Sequence, residues 1–333
     1  MDYAKVESFR ELVRYATLAP SSHNTQCWQF RLEDQAIAIL PDLSRRCPVV
    51  DPDDHHLYVS LGCAAENLAQ AAISQGLSVN ITFDDSGDGV VRVALDSGSA
   101  IATPLFEAIP HRQCSRTEYD GQPISPEELH LLTTAGTGDG VRVVMLTQPA
   151  QIETVVAYVV RGNTAQLTNP AFRQELKAWI RFNNGAAKRT GDGLSGRTTG
   201  NPAAPSWLGK LLFKLLLRVQ PENEKVARYI RSSAGVAIFV SDQNDRAHWV
   251  EVGRCYERFA LQATALGIRN AFVNQPVEEA SLRPEFAKAL GLGAGRPDLV
   301  VRFGRGPEMP RSLRRPIDAV ILPQSIPLSQ EVN

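Results

Sequence analysis

No run of this 333-residue sequence comes near the roughly 20 consecutive apolar residues that a membrane span needs. Residues 1–10 carry Asp, Lys and Glu where a secretory signal would need an apolar stretch. A strong charge of either sign is also missing: 35 basic residues face 36 acidic ones, a formal net charge of -1. That balance gives no electrostatic reason to expect nucleic acid or an anionic membrane as partner. Cysteine is sparse. The five (Cys27, Cys47, Cys63, Cys114 and Cys255) stand far apart, are odd in number and form no C-x-x-C pair. A zinc site or redox dithiol is therefore not expected, and the thiols read as reduced ones of a cytoplasmic protein. There is no G-x-S-x-G elbow for a hydrolase. Gly191, Gly193 and Gly196 neither follow a strand nor open a helix, so they do not make a phosphate loop. His55 and His56 follow two aspartates, but neighbours on a helix point apart, and no metal is expected.

The chain does have enough apolar material, 43% of its residues, to bury a sizeable core. Its length suits two domains or one large α+β body. Residues 3–18 carry Phe9, Leu12, Val13 and Ala16 at helical spacing and stop at Ala19-Pro20. A polar loop, Ser21 to Gln26, leads into two strands, 28–32 and 36–40, around Glu33-Asp34. Asp51 to Asp54 opens a mostly apolar helix over 57–75, which should be buried on most faces. Strands follow near 79–83 and 90–95. The pattern then restarts, with Ser125-Pro-Glu-Glu128 as a helix cap, a strand at 141–146, helices near 149–162 and 170–182, a strand at 235–241, a helix over 248–266 and a last strand at 299–303. The breaker-rich stretch 183–206 is long for a plain connection and reads as a lid. Trp207 to Phe213 reads as an apolar helix packed on the core.

An internal repeat is visible at a constant offset of 191. Val59, Gly62, Glu66, Ala69, Ala72 and Gly76 meet Val250, Gly253, Glu257, Ala260, Ala263 and Gly267, and Leu77 meets Ile268. A mid-helix glycine costs about 1 kcal/mol, so a matched pair, Gly62 and Gly253, points to two helices in close approach.

Three constellations carry chemistry. Ser21, Ser22, Asn24 and Gln26 offer donors and acceptors on a short loop between helix and strand. Arg112 and Arg116, with Cys114 between them, can grip a phosphate through forked, charged hydrogen bonds. Arg311, Arg314 and Arg315 form a further basic group just before Pro316.

In this order the segments Ala19-Pro-Ser-Ser-His-Asn-Thr-Gln-Cys-Trp28, Arg112-Gln-Cys-Ser-Arg116-Thr-Glu-Tyr119 and Arg314-Arg-Pro-Ile-Asp318 resemble the flavin loop, the arginine phosphate motif and the C-terminal phosphate-binding arm of the nitroreductase superfamily. Ser44-Arg-Arg46, Asp51-Pro-Asp53, the Gly62 helix and Asn274-Gln-Pro276 resemble its long single-chain, Acg-like branch. The resemblance implies an α+β fold: a single-chain pseudo-dimer of two related halves, 1–110 and 111–333, with mainly antiparallel sheets flanked by helices. It implies an FMN-dependent oxidoreductase passing electrons from NAD(P)H to an electron-poor acceptor such as a nitroaromatic or quinone, with no catalytic side chain named. The alternative is a non-catalytic flavin-binding or storage protein, or a relative that has lost its cofactor. Ordinary members are homodimers in which both subunits build each site. Here the Ser/Asn loop lies in the first half and the arginine motif in the second. One complete site is therefore expected, combining Ser21, Ser22, Asn24 and Gln26 with Arg112, Cys114, Arg116 and Arg314 or Arg315. The internal pseudo-dimer relieves the need for a partner subunit, while further self-association stays open. Two departures weaken the match: Cys27 stands where the family usually has Pro, and Cys114 where Ser or Thr would bond the phosphate.

Overall fold

The computed structural model describes residues 3–199 and 218–323. The expected helix at Trp207 to Phe213 and the last part of the expected lid, 200–206, lie outside the described residues. The elements run α1 (Tyr3–Ala16), β1 (Trp28–Glu33), β2 (Ala36–Pro41), α2 (His55–Ser74), β3 (Leu77–Asp84), β4 (Val90–Ser97), α3 (Pro104–Ala108), α4 (Pro126–Ala135), β5 (Val141–Leu146), α5 (Pro149–Thr168), α6 (Pro170–Trp179), β6 (Ile180–Arg181), α7 (Asn184–Thr190), β7 (Leu194–Ser195) and α8 (Gly196–Thr199). Then come α9 (Val219–Arg231), β8 (Gly235–Ser241), α10 (Arg246–Ala265), β9 (Arg269–Phe272), α11 (Gln275–Glu278), α12 (Leu282–Ala289) and β10 (Arg296–Gly304). Among the described residues no helix is long and apolar enough to cross a membrane.

The architecture is α+β, with two four-stranded antiparallel sheets ordered β1-β2-β4-β3 and β5-β8-β10-β9. The two orders are one topology read twice: two strands, a long helix, then two more strands, the last inserted beside the second. The helix in the first copy is α2 and in the second α10. What distinguishes the second copy is the insertion between β5 and β8, including α5, α6, the short β6–β7 ladder and α9, and the helices α11 and α12 between β9 and β10.

Sequence pattern accounts for the individual elements. The side chain of Ser125 accepts from Glu128 N while that of Glu128 accepts from Ser125 N, so the expected capping box starts α4. The carboxylate of Asp51 accepts from His56 N and Leu57 N, both at 3.0 Å, and so satisfies two of the orphan donors that open α2. In α2 nearly every residue is buried, as its apolar composition requires. Gly76 and Gly267, paired in the repeat, end their helices with φ of 84° and 70°, a left-handed conformation that glycine adopts without strain.

At the centre α2 and α10 cross with their backbones in contact. A Cβ built on Gly62 would run into the Val250 carbonyl, and one built on Gly253 into the Val59 carbonyl. Val59 and Val250 are themselves partners in the repeat, so the contact maps onto itself when the halves are exchanged. Cys63 Sγ donates to Gly253 O at 3.2 Å across the crossing. One apolar core runs from Phe9 and Trp28 through this contact to Phe239, Phe259 and Phe303.

The halves are also laced together by chain ends. Beyond β10 the chain returns to the first half, where Phe30 N donates to Val320 O and Leu322 N to Phe30 O, both at 2.8 Å, extending the β1 edge. Cys114 bridges in parallel to Asn270 on the β9 edge of the second sheet.

Replacing Gly62 or Gly253 with Ala should destabilise the protein by about 1–3 kcal/mol in urea unfolding, because overpacking at a backbone contact outweighs the better helix propensity of alanine. A stabilised Gly62→Ala protein would show that the helices do not touch there.

Candidate functional site

The loop between α1 and β1 folds against its own preferences. His23, Asn24 and Gln26 all have positive φ (50°, 55° and 54°), a region that non-glycine residues avoid and Asn tolerates best. Its internal bonds are few: Ser21 Oγ accepts from Gln26 N at 2.9 Å, and Asn24 N and Thr25 N close short turns. What holds it comes from distant sequence. Asn24 exchanges bonds with Gly193, its Nδ2 donating to Gly193 O and its carbonyl accepting from Gly193 N, both at 3.1 Å. Gln26 Nε2 donates to Gly191 O, and Gln26 Oε1 accepts from Arg315 N, both at 2.8 Å.

The described part of the breaker-rich stretch is thus structured. It contains α7, β7 and α8, and β7 pairs in parallel with β6. Asp192 fastens it, receiving Arg181 (2.7 and 2.9 Å) and Arg45 on its carboxylate. Both guanidiniums also lie beside the Trp179 ring, at 5.3 Å and 5.7 Å from its centroid. This network joins residues nearly 150 positions apart and left no local pattern in the sequence.

The C-terminal arm closes the arrangement. Arg314 donates from Nε to Thr17 O (2.6 Å) and from Nη2 to Leu18 O and Ala19 O (2.8 and 3.1 Å), the carbonyls of the turn that follows α1. Its Nη1 reaches Asn24 Oδ1 at 3.2 Å. Burial, and then the nearby Arg112, push its pKa down to about 10. Arg315 is turned toward the Gln26 and Ala319 carbonyls.

Two adjoining cavities open beside this loop. The smaller, about 100 Å³, is lined among others by Ser21, Asn24, Arg112, Gln113, Cys114, Arg116 and Arg314. The larger, about 550 Å³, is lined by Ser21, Ser22, His23, His56, Arg116, Phe172, Phe272 and Glu278 among others. Pro20, Ser21, Arg116, Leu194 and Phe272 border both. Asn24 and Arg112 therefore share one cavity although they lie before and after the strands of the first sheet. Gln26 and Arg315 line neither.

The smaller cavity has the donors an anion needs. Arg112 is buried, bonds Leu18 O through Nη2 at 3.1 Å and lies 3.2 Å from Glu257, yet its Nη1 has no partner. Gln113 receives Met309 N on Oε1 while its own buried Nε2 is unpartnered. Arg116, between the cavities, makes no hydrogen bond or ion pair among the described residues. Buried donors are almost always satisfied, so unmet ones converging with arginines fit a phosphate group. Burial, with Arg116 and His56 adding to it, lowers the His23 pKa to about 4, so this ring is neutral at physiological pH.

Glu257, partner of Glu66 in the repeat, is the countercharge beneath the site, and the repeat was the one signal in the sequence that could have marked it. Glu66 instead meets Arg258 at 3.0 Å. His55 and His56 do not diverge as expected of helix neighbours. Their ring centroids are 4.4 Å apart, and their ligating atoms and one of Asp51's all lie within 4.8 Å of one another. Most of these donors are committed elsewhere: both Asp51 oxygens to backbone N–H groups, and His55 Nε2 to Asp298 and Arg296 at 3.0 and 3.2 Å.

No family model matches the chain. Over 336 aligned positions it is 26% identical to a Mycobacterium tuberculosis protein named "Putative NAD(P)H nitroreductase", covering 96% of this chain and 92% of that one. It is 23% identical to a second protein so named, acg, from the same organism, covering 93% and 94%. These relatives support the resemblance to the nitroreductase superfamily, in its long single-chain form. Among solved structures it is similar to a Desulfitobacterium hafniense nitroreductase with bound FMN (15% identity, 66% of this chain, 97% of that one, TM-score 0.41). It is also similar to a Vibrio harveyi NADPH:FMN oxidoreductase complexed with NAD+ (16%, 69%, 80%, TM-score 0.39).

The buried Glu257 generates a prediction. Burial raises its carboxyl to about 7, against the pull of Arg112. A raised folded-state pKa means that the native state holds this proton over a range where the unfolded chain has lost it. The stability so contributed is full below the ordinary carboxylate range and is lost as pH rises through about 7. Urea unfolding between pH 5 and 8 should show this decline, and Glu257→Gln should flatten it. An unchanged slope in the variant would show that Glu257 is not its source.

Proposed function

We propose that this chain is an FMN-dependent oxidoreductase that takes electrons from NAD(P)H and delivers them to an electron-poor acceptor such as a nitroaromatic or quinone. The observation that carries the reading is the smaller cavity, where unpartnered donors of Arg112 and Gln113 meet the guanidinium of Arg116 beside Ser21 and Asn24. The names of the two mycobacterial relatives support the same reading. Residues 1–110 and 111–333 then correspond to two nitroreductase-like halves that together build one site.

Arg112, Arg116 and Gln113 would hold the phosphate, with Cys114 beside them as a weaker donor. The larger cavity, within the range of cofactor and ligand sites, would take the ring system and one small ligand between apolar walls such as Phe172 and Phe272. Bound FMN supplies two-electron transfer between donor and acceptor. The chain's own part is to bind, orient and exclude water. Asn24, Gln26, Arg314 and Arg315 serve by keeping the loop in its left-handed conformation, and Asp192 by closing the wall.

A non-catalytic flavin-holding protein is the second reading. It is favoured by one observation, the latch of Asn24 and Gln26 to residues 191 and 193, which ties the loop to the wall that covers it.

The purified protein should be yellow, bleach with NAD(P)H and regain colour with a quinone. Arg116→Ala and Arg112→Ala should each weaken FMN binding about 10- to 100-fold, the loss of one charged hydrogen bond. Colour that ignores both nucleotides supports the holding protein. A colourless protein that ignores added FMN, or variants that bind it as well as the parent, would remove this site from consideration.

A further inference from the structure

The larger cavity contains a group that cofactor binding does not use. The ring of His56 lines it, and its buried Nε2 has no hydrogen-bond partner. On the other side of the ring, Nδ1 lies 3.5 Å from Asp51 Oδ1. That carboxylate is itself fixed by the amides of His56 and Leu57 at the start of α2. The ring is further confined by His55. A carboxylate behind one ring nitrogen sets the tautomer and supports the imidazolium, leaving the other nitrogen to exchange a proton.

The surroundings agree. Glu278, from α11, lines the same cavity and receives Gln166 Nε2 on Oε2 at 2.7 Å. Burial raises its carboxyl and His56 eases it back, so the two groups feel each other. The other titratable groups facing His56 are His23 from the loop, kept neutral, Asp51, and His55, which burial also keeps neutral. Arg283 from α12 stands by Asp51 and Glu278, its Nε donating to Val277 O at 2.8 Å.

We propose that His56 is the acid that protonates the acceptor in the larger cavity, with Asp51 as its positioning residue. This rests on the oxidoreductase reading above and adds a side chain to the chemistry. Reducing a quinone takes two electrons and two protons. Hydride equivalents from NAD(P)H bring both electrons and one proton. The other proton leaves His56 Nε2 for a quinone oxygen, and the C=O becomes C–OH. The imidazole is left neutral with its Nδ1 proton toward Asp51, and a solvent proton restores it. The favoured acceptors are therefore those with an oxygen that gains basicity on reduction, such as quinones.

Two measurements test the role. In cofactor-free protein with labelled histidine, NMR should find the proton of the neutral His56 ring on Nδ1, toward Asp51, and Asp51→Asn should shift that tautomer toward Nε2. Because Asp51 also caps α2, the kinetic arm is carried by His56→Gln. In rapid mixing His56→Gln should still bind FMN and still be bleached by NAD(P)H. Its recolouring by benzoquinone should slow by about 100-fold or more and lose its dependence on pH between 5 and 8. Wild-type protein that takes up no flavin overturns the oxidoreductase reading and the acid role with it. A His56→Gln protein that binds flavin, bleaches, and recolours at the wild-type rate overturns the acid role alone.

Discussion

Two helix backbones can touch only where a side chain is missing from the contact, and this structure is organised about one such crossing. Gly62 and Gly253 each take the place of a Cβ that would strike a carbonyl of the facing helix. The close crossing of α2 and α10 sets the separation of the two sheets and joins their apolar sides into one core. It also leaves polar groups of these helices buried beneath the cleft: Glu257 under Arg112, and His56 at the start of α2.

The second constraint is strain. Three left-handed residues within the loop between α1 and β1, none a glycine, each cost up to about 1–3 kcal/mol, the asparagine least. Such a loop persists only if the surroundings over-determine it. Gly191, Gly193, Arg314 and Arg315 all bond to it, from segments more than 160 residues away. The loop, the wall over it and the C-terminal arm are one mechanical unit, so the cleft is shaped by residues that never line it.

The pattern of hydrophobic periodicity, caps and breakers located most elements, since those signals are local. It missed β9, the helices α3, α9, α11 and α12, and the short α7, β7 and α8, whose stability comes from what they pack against. The polar loop and the arginine pairs were legible as candidates because their chemistry is unusual for a bland surface. Their individual duties were not. Asn24 and Gln26 carry the right atoms for a ring system, yet spend them on the wall and the arm. Arg314 could equally have met a phosphate or a carboxylate, and its donors go to three carbonyls of the turn after α1. Side-chain type limits what a residue can bond, while the partner is chosen by the fold.

By itself, then, the sequence determined that the chain is a duplicated α+β body with close-packed central helices, because glycine spacing and apolar period are written locally and repeat at a fixed offset. It also placed the Ser/Asn loop ahead of the first two strands and the arginine motif after the fourth. Only the tertiary structure decided that these two meet at one cavity, that Arg112 is held over Glu257, and that the ring of His56 lines the adjoining larger cavity. Those are distances between residues far apart in the sequence, and no local pattern encodes a distance that is set by how elements pack.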